Sequence, residues 1–457
     1  MKLESINPSE YKCIGEIEIS NEQDVREKVE LANKAKSIWK KTPLKTRIEL
    51  LRPIFDEFAR RKEELAELES REMGMPLGDA IEDIDDTMSY VQWYFEHAEQ
   101  YLGPEITYET DKEIHTVYHE PIGVTAVVIP WNFPFSMSVW AVLQGLIAGN
   151  VIVMKHSEEC PLSGKFIENV FSDHHLPEGV FNEIYGGAEV GRILVHQSVD
   201  MIQFTGSTAT GRFLYEVAGK RFLKANMELG GSAPGVIFED ADFGETLTTV
   251  CNLRLFNAGQ CCDGLKRLLV HESIASQVEK ELTNLFSRTV VGDALNPTTD
   301  VGPLVSKKQL ERLVAQVQDA LLQGAKILVG GKSLEEELGG AFYQPTLLKD
   351  VSSKMRVWQE EVFGPVLPIV TFSNEEEAIR LANDTLYGLG AYIFTGDTDR
   401  AQRVAHAIDS GVVGINGCSY FSPSSPFGGY KGSGFGREHG KYGFYEVTRT
   451  KVIATTK

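Results

Sequence analysis

The chain has 457 residues, enough for two or three domains with large cores, and its 42% hydrophobic and 24% charged residues are ordinary for a globular protein. The 45 basic and 65 acidic residues give a formal net charge of −20. Because nucleic acid binding requires many clustered Lys and Arg, this acidic balance argues against nucleic acid as a partner.

The composition also predicts neither a secretory signal nor a membrane span. The N-terminus has no apolar core segment, and the longest apolar stretch, Val139 to Met154, is interrupted by Gln144 and Asn150. The six cysteines include no CxxC pair, so we expect neither a disulfide framework nor a metal site. A reducing cytoplasm is the compartment that this composition favours.

Hydrophobic periodicity predicts that the first hundred residues are mainly helical. A helix is expected after Asn21 as N-cap, with apolar residues recurring up to Trp39, and the same pattern continues over 46–73 and 77–101. From 105 to 118, β-branched and aromatic residues stand among polar ones, which predicts an exposed hairpin.

Two series of alternating strand and helix patterns follow. Continuous apolar runs at 123–129 and 150–154 are typical of strands buried on both faces of a parallel sheet. This alternation predicts a doubly wound α/β domain and then a second α/β series after residue 231. Further strands are predicted near 180–185, 201–205, 236–238, 267–270, 326–329, 367–370 and 391–394, and helices over 273–288, 306–323, 375–383 and 398–409. The β-branched tail from 445 to 456 is expected to pair with the early hairpin.

Glycine clusters after the strands of the first series indicate a dinucleotide site, although the usual GxGxxG pattern is absent. Gly206 and Ser207 follow a strand and open a helix, which is a site for a pyrophosphate or simply a capped helix. Gly187 and Gly191 follow another strand. Just past a third strand come a lysine and a glutamate, Lys155 and Glu158, which singly would read as a solvated pair.

Three residues have the types needed for carbonyl chemistry. Cys262 follows a Gly-Gln turn and is a candidate nucleophile, although a lone cysteine is usually a core residue. Glu228, before Leu-Gly-Gly, is a candidate base or a solvated charge. Asn132, bracketed by prolines and aromatic residues, is a candidate oxyanion donor or a turn residue.

In this order the motifs resemble one family, the NAD(P)-dependent aldehyde dehydrogenases, and in particular its short succinate-semialdehyde-dehydrogenase-like branch. The resemblance runs nearly end to end. It is carried by the segments 119–124, 130–134, 204–206, 228–231, 259–262, 360–365 and 426–434.

The resemblance implies the aldehyde dehydrogenase fold and a division of the chain. A Rossmann-like coenzyme-binding domain is expected at 1–102 and 121–230, and a second α/β catalytic domain at 231–435. A small β oligomerisation element is expected at 103–120 and 436–457. The family is built from dimers or tetramers of one chain, so a homodimer or homotetramer is implied.

The resemblance also implies an activity, the oxidation of a small-molecule aldehyde to a carboxylic acid. Cys262 would attack the aldehyde and form a thiohemiacetal and then a thioester, Asn132 would hold the oxyanion, and Glu228 would activate water. NAD is the implied coenzyme, with NADP as the alternative, because Glu158 would repel a 2′-phosphate. The implied coenzyme contacts are Trp131, Lys155, Glu158, Gly187, Gly191, Gly206, Ser207, Glu361 and Phe363.

The substrate pocket departs from the succinate-semialdehyde pattern. Trp140 and Phe256 occupy the positions at which those relatives carry arginines, and an aromatic ring cannot pair a carboxylate. With Phe427 they predict an apolar or amino aldehyde, and succinate semialdehyde remains the alternative. Asp263, and with it Asp83 and Asp86, would attract an ammonium group if they face the pocket, or else are solvated surface charges.

Other classes of protein fit the sequence less well. An acylating dehydrogenase that uses coenzyme A would lack Glu228, and a thiol hydrolase would need a partner histidine for Cys262. A P-loop at 331–333 lacks its upstream glycine, since position 326 is lysine. A noncatalytic structural protein on the same fold is the remaining alternative.

Overall fold

The structure is a computed structural model that describes residues 1–457, and it begins with a short β-hairpin followed by four helices. The helix predicted after Asn21 is confirmed, and the Asn21 side chain accepts hydrogen bonds from two N–H groups of the first turn in a capping box. The prediction of a mainly helical N-terminal region is confirmed by these four helices, whereas the two strands within the first 18 residues were not predicted. These strands are short and rich in polar residues, so they carry little β-pattern.

The helices and strands follow one another through four parts of the chain. The first part contains β1 (Lys2–Asn7), β2 (Lys12–Glu18), α1 (Glu22–Lys41), α2 (Leu44–Arg60), α3 (Lys62–Met73), α4 (Leu77–Leu102), β3 (Glu105–Glu109) and β4 (Glu113–Pro121). The second contains β5 (Val124–Val128), α5 (Pro134–Ala148), β6 (Val151–Lys155), α6 (Pro161–Ser172), β7 (Phe181–Ile184), α7 (Ala188–His196), β8 (Met201–Gly206), α8 (Thr208–Arg221) and β9 (Lys224–Leu229). The third contains β10 (Ala233–Ile237), α9 (Phe243–Leu255), β11 (Leu265–His271), α10 (Ala275–Arg288), α11 (Lys307–Leu322), β12 (Lys326–Val329), α12 (Glu335–Leu338), β13 (Thr346–Lys349), α13 (Arg356–Gln359), β14 (Val366–Phe372), α14 (Glu375–Asn383), β15 (Gly390–Phe394), α15 (Thr398–Ala407) and β16 (Val412–Ile415). The last contains β17 (Gly434–Phe435), α16 (Gly440–Glu446) and β18 (Thr448–Thr456).

The first large sheet has six strands in the order β17-β9-β8-β5-β6-β7. Strands β9 to β7 in that order are parallel, and the short β17 pairs antiparallel with β9. The strand order reverses between β5 and β8, and ligands of such sheets bind at the carboxyl ends beside that reversal. Asn132 follows β5 and Ser207 follows β8, so both lie at this edge.

The second large sheet has seven strands in the order β12-β13-β14-β11-β10-β15-β16. All neighbours are parallel except the edge pair β12 and β13. The predicted strands of this series are confirmed, and β13 and β16 are additional. Cys262 lies just before β11, which is an inner strand, so the turn at 256–262 is anchored to the middle of the sheet; we call it the nucleophile turn after its candidate nucleophile.

A separate three-stranded sheet has the order β18-β4-β3. The predicted pairing of the tail with the early hairpin is confirmed, since β18 runs antiparallel to β4 from Thr448 opposite Pro121 to Thr456 opposite Glu113. All residues of β18 after Thr448 are exposed. None of the helices combines the length and the apolar character needed to cross a bilayer.

Candidate active site

The nucleophile turn is built from an unusual backbone. Helix α9 ends at Leu255 and is followed by a 3-10 turn in which Asn257 and Ala258 have left-handed φ values of 49° and 54°. Gly259 is also left-handed, with φ of 74°, and a Cβ there would come within 2.5 Å of the Gly364 carbonyl oxygen. Tight packing against a neighbouring loop therefore fixes the turn that presents Cys262.

Asn132 is tied to this turn from the other sheet. Its side-chain Nδ2 donates to the carbonyl oxygen of Gln260 at 3.0 Å, and its own carbonyl oxygen accepts from Asn257 Nδ2 at 2.8 Å. A primary amide has two N–H donors, so one donor of the buried Asn132 is left for another acceptor. The bond to Gln260 therefore holds the Asn132 side-chain amide close to the candidate nucleophile, Cys262, which is two residues further along the chain.

Glu228 is buried at the end of β9, with no hydrogen-bond partner on either carboxylate oxygen. Burial, with the nearby Glu438 charge adding to it, raises the pKa of Glu228 well above its usual range. The strand end adjoins the nucleophile turn, because a Cβ at Gly231 would overlap the Cys262 carbonyl oxygen. The alternative of a solvated charge is therefore excluded for Glu228.

The Cys262 thiol is partly buried. Desolvation raises its pKa well above the ordinary value, and the charge of Asp263 adds to the rise. Its neighbour Cys261 is more deeply buried, and its pKa is also raised, chiefly by burial. Both thiols are therefore protonated at rest.

A cavity of about 870 Å³ opens in front of these cysteines. The four predicted pocket residues Trp140, Phe256, Asp263 and Phe427 all line it together with Cys262. Asn132 and Glu228 are not part of its wall. The structure thus brings the predicted pocket residues together around the candidate nucleophile, whereas Asn132 and Glu228 lie outside the cavity lining.

Aromatic rings form one side of the cavity. Trp140 stacks on Tyr90 with ring centroids 5.6 Å apart and meets Phe427 edge to face at 5.9 Å. His439 packs against Trp140 from behind at 4.3 Å, and burial lowers its pKa to about 3, so it is neutral. Tyr90 was missed in the sequence analysis. It could have been found from its spacing, because Asp83, Asp86 and Tyr90 are three and four residues apart on α4 and so lie on one face of that helix.

All the charged residues that line the cavity are acidic. No Lys, Arg or His lines it, and its acidic residues are Asp79, Glu82, Asp83, Asp86, Asp263 and Asp300. Asp83 accepts from Ser136 at 2.5 Å, and desolvation raises its pKa to about 7. Asp86 is exposed, whereas Asp263 is only 8% exposed, so the interpretation of these aspartates as surface charges is wrong for Asp263.

Two tyrosines that the sequence analysis missed hold the Asp263 carboxylate. Tyr420 donates to Oδ2 at 2.7 Å, and the Tyr392 hydroxyl is 3.2 Å from the same oxygen. Their sequence separations from Asp263 are 157 and 129 residues, so no local pattern links them. The other carboxylate oxygen, Oδ1, lies 3.9 Å from Cys262 Sγ.

Four of the predicted coenzyme residues adjoin at the carboxyl end of β6. Lys155 is buried and donates to the His156 carbonyl oxygen at 2.7 Å and, at 3.5 Å, to Glu158. Burial lowers the pKa of Lys155, and one of its three donors remains unused. A Cβ at Gly187 would lie 3.7 Å from Glu158 Oε1, and one at Gly191 3.5 Å from Lys155 Cδ. The glycines keep the space over this pair open.

Gly206 and Ser207 lie at the carboxyl end of β8, where α8 begins. The Ser207 hydroxyl caps the helix by accepting from the Thr210 N–H, so the structure includes the capped helix of the alternative interpretation. The remaining N–H groups of the first turn still point away from the helix, with the positive end of its dipole. This terminus neighbours β5, at the reversal of strand order.

Glu361 and Phe363 lie beside the nucleophile turn, joined to it by Lys266. Lys266 is fully buried, and its Nζ donates to Glu361 Oε1 at 2.8 Å and to the Cys262 carbonyl oxygen at 2.6 Å. The same ammonium lies 5.3 Å from the Phe363 ring, which meets Trp131 edge to face at 5.4 Å. Lys266 was missed from the sequence, although a lysine within a mostly apolar strand is a usable signal.

The cavity is also rich in sulfur. Of the six free cysteines, Cys251, Cys261, Cys262 and Cys418 line it. Cys418 is exposed, whereas burial raises the pKa of Cys251 to about 11. Only Cys262 lies directly against the Asp263 carboxylate through its thiol.

Comparison with known proteins agrees with this architecture. The model of the Aldehyde dehydrogenase family matches residues 1–453. Aminoaldehyde dehydrogenase 1, peroxisomal, of Pisum sativum is 37% identical over 462 residues, covering 99% of this chain and 92% of the relative. Succinate-semialdehyde dehydrogenase (NADP+) of Deinococcus radiodurans is 35% identical over 450 residues, covering 98% of this chain and 94% of the relative.

A solved structure gives the same result for the fold. The betaine aldehyde dehydrogenase from Staphylococcus aureus, in complex with NAD+, superimposes with a TM-score of 0.96 at 33% sequence identity. The match covers 100% of this chain and 91% of that one. This confirms the aldehyde dehydrogenase fold, and with the matches over the whole sequence it shows that the chain belongs to the aldehyde dehydrogenase family.

Proposed function

We propose that this aldehyde dehydrogenase oxidises aldehydes that carry an ammonium group, with Cys262 as the nucleophile. One observation carries the choice of substrate: the cavity in front of Cys262 has aromatic walls and six acidic residues, and no basic one. Aromatic faces and carboxylates both attract an ammonium group, and an acidic cavity repels a carboxylate. The similarity to aminoaldehyde and betaine aldehyde dehydrogenases supports the same class.

The first step is attack of Cys262 Sγ on the aldehyde carbon. Because burial raises the pKa of Cys262, the thiol starts protonated, and it gives its proton to a solvent water as the carbon–sulfur bond forms. The oxygen of the resulting thiohemiacetal carries negative charge, and the free N–H of the Asn132 amide is the donor that we assign to it. The contact of Asn132 with Gln260 supports this role, since it fixes the amide before substrate arrives.

The second half of the reaction is hydrolysis of the thioester on Cys262. Glu228 would take a proton from water so that the water attacks the thioester and releases the carboxylic acid. Both buried Glu228 oxygens lack a hydrogen-bond partner, so each keeps its full capacity to accept from a water that enters the site. A raised pKa makes the ionised carboxylate a stronger base than an exposed one.

NAD is the coenzyme that we assign to the site, and when bound it supplies the acceptor for the two electrons of the oxidation. Lys155, with an unused donor, and Glu158, with its carboxylate, fit the hydroxyls of a ribose, and the open space above them fits the rest of that nucleoside. The start of α8 fits the pyrophosphate. Glu361, Phe363 and Trp131 would hold the nicotinamide end. The NAD+ complex of the Staphylococcus aureus relative supports the assignment.

The deciding experiment measures NADH absorbance with three aldehydes of similar size and different charge. We expect the highest kcat/KM for 3-aminopropanal, a lower value for butanal and the lowest for succinate semialdehyde. Betaine aldehyde tests a quaternary ammonium in the same assay. An order led by succinate semialdehyde would overturn the proposed substrate, and no NADH with any aldehyde would favour a noncatalytic protein on this fold.

Succinate semialdehyde is the second candidate substrate, because the Deinococcus radiodurans relative is named for it. The residues of the cavity speak against it. Trp140 and Phe256 stand where that class has arginines, and no other basic group lines the cavity to replace them. Introducing Arg at position 256, as Phe256→Arg, should raise activity with succinate semialdehyde relative to butanal.

We also infer that the β18-β4-β3 sheet is the element through which copies of the chain assemble. Its edge strand β18 is exposed along nearly its whole length. In a single chain the backbone N–H and C=O groups on the outer side of this strand have no neighbouring strand, so they are open to pairing with another copy. A homodimer or homotetramer is the expected assembly, and light scattering of the full chain measures it. Truncation after Val447 should give monomers if this sheet holds the copies together.

A further inference from the structure

The Asp263 carboxylate is fixed beside the nucleophile by the two tyrosines. Both hydroxyls contact Oδ2, and they are only 2.6 Å from each other, so Tyr392, Tyr420 and Asp263 form one hydrogen-bonded unit. Gly390 packs against this unit, because a Cβ there would come within 2.9 Å of the Tyr420 hydroxyl. The carboxylate therefore has a set orientation in which Oδ2 is satisfied.

The second oxygen, Oδ1, has no nitrogen or oxygen donor. Its one hydrogen-bonding neighbour is the Cys262 thiol, with Sγ at 3.9 Å, and an S–H group is a weak donor. Buried carboxylate oxygens are normally satisfied by strong donors, since their desolvation is costly. Because Asp263 lines the cavity, the open acceptor is at the place where a substrate binds.

A carboxylate at this position works against the first chemical step. Its negative charge disfavours the thiolate of Cys262, adding to the effect of burial. It would also repel the negatively charged oxygen on the aldehyde carbon that bonds to Sγ. A substrate group that donates to Oδ1 would compensate for this effect. The distance from Sγ decides which part of the substrate can make that contact.

We propose that Asp263 Oδ1 accepts a hydrogen bond from a hydroxyl on carbon 2 of the aldehyde, so that the enzyme prefers 2-hydroxyaldehydes to their unsubstituted counterparts. Once Sγ has bonded to carbon 1, a hydroxyl on carbon 2 is three covalent bonds from the sulfur. An acceptor that lies 3.9 Å from Sγ is therefore within hydrogen-bonding distance of a hydroxyl held this close to the sulfur. The inference rests on the proposed oxidation at Cys262.

The test compares 2-hydroxypropanal with propanal in the same assay. For the wild-type enzyme with NAD we expect kcat/KM to be at least about tenfold higher for 2-hydroxypropanal, the factor that a hydrogen bond to a charged acceptor supplies. One enantiomer should be the better substrate, because Asp263 stands on one side of the thiol. In Asp263→Ala both the hydroxyl preference and the enantiomer preference should fall to about one.

Two further variants keep the test informative. In Tyr420→Phe the carboxylate is retained but loses its closest donor, so the hydroxyl preference should fall through a higher KM for 2-hydroxypropanal alone. In Asp85→Ala, a variant of an exposed residue outside the cavity lining, the ratio of the two substrates should stay at the wild-type value. Thermal unfolding of each variant shows whether it is folded.

A wild-type ratio near one, or a ratio that persists in Asp263→Ala, overturns the inference while leaving the oxidation of aldehydes intact. No NADH from either substrate, nor from 3-aminopropanal, would instead reject the proposed function itself. If Asp263→Ala does not fold, the ratio in Tyr420→Phe decides, and an unchanged ratio there counts against the inference.

Discussion

The buried ammonium of Lys266 donates to the carbonyl oxygen of Cys262 at 2.6 Å and so ties the nucleophile turn to its surroundings. The same group bonds the Gly231 carbonyl oxygen at 3.1 Å and Glu361 at 2.8 Å. One side chain thus joins three segments that are far apart in sequence: the nucleophile turn, the Gly-Gly turn after Glu228 and the loop before β14. Lys266 positions the site without being a candidate for any chemical step.

Lys266→Met should destabilise the protein, because two carbonyl oxygens lose the ammonium and the partly buried Glu361 carboxylate keeps only the Gly231 N–H as donor. Removing one partner of a buried ion pair costs about 3–5 kcal/mol, which chemical denaturation relative to wild type would reveal. Lys307→Met is a matched control, since the Lys307–Glu335 pair is largely exposed and should contribute little. An equally small loss of unfolding free energy in both variants would contradict the role of Lys266 in holding the three segments together.

Cys262→Ser should abolish NADH formation with every aldehyde, because a hydroxyl is a much weaker acid and a much poorer nucleophile than a thiol. Cys261→Ser is the control, and it should keep activity because Cys261 Sγ donates to the Phe256 carbonyl oxygen. Steady-state assays with 3-aminopropanal distinguish the two. Activity that survives in Cys262→Ser and is lost in Cys261→Ser would reverse the assignment.

Asn132→Ala should lower kcat by about 10²–10³, the usual cost of losing one oxyanion donor. The variant should remain folded, since the turn keeps its other contacts, including the bond from the Val305 N–H to Gln260. Circular dichroism checks the fold, and the rate at which iodoacetamide alkylates Cys262 checks access to the thiol. Wild-type turnover in a folded variant would remove Asn132 from the mechanism.

Glu228→Gln should separate the two halves of the reaction. Thioester formation, seen as a rapid burst of NADH, should persist, whereas steady turnover should fall by about 10²–10⁴ through loss of the base. Since the pKa of Glu228 is raised, wild-type kcat should increase with pH until this carboxyl ionises. An absent burst would assign Glu228 to the first half instead.

The same substitution has a predictable effect on stability. Burial raises the folded-state pKa of Glu228 above its unfolded value, so this group costs nothing while protonated in both states and destabilises the fold as pH rises through that window. Glutamine has no such charge. Glu228→Gln should therefore be more stable than wild type at alkaline pH and similar at acidic pH, as thermal unfolding across pH would measure.

Asp86→Asn should weaken activity with ammonium substrates alone. As Asp86 is exposed and lines the cavity, the loss in kcat/KM for 3-aminopropanal should be about two- to fivefold at low salt and vanish at high salt. Asp85→Asn is the control, because Asp85 pairs with Lys62 at 2.7 Å and does not line the cavity. A loss shared by butanal would point to a change of structure instead of charge.

Much of this fold can be predicted from local sequence patterns. Helix α1 follows from its N-cap and apolar spacing, and Cys262 and Glu228 stand out by the glycine turns beside them. The contacts that matter for specificity are not local: Asp263 meets Tyr392 and Tyr420 across the second sheet, and no periodicity encodes such a meeting. The β1-β2 hairpin was missed because its strands are short and polar. The division into coenzyme-binding, catalytic and oligomerisation parts stays a prediction.

The grouping of four cysteines around one cavity has a practical consequence for probing this protein. A thiol reagent that enters from solvent meets the exposed Cys418 at the rim before it reaches the nucleophile. Loss of activity over time would not by itself distinguish a reagent that blocks the entrance at Cys418 from one that modifies Cys262. Peptide mapping of the alkylated protein, or a Cys418→Ser background, is needed before any inhibitor can be said to act on the reactive sulfur.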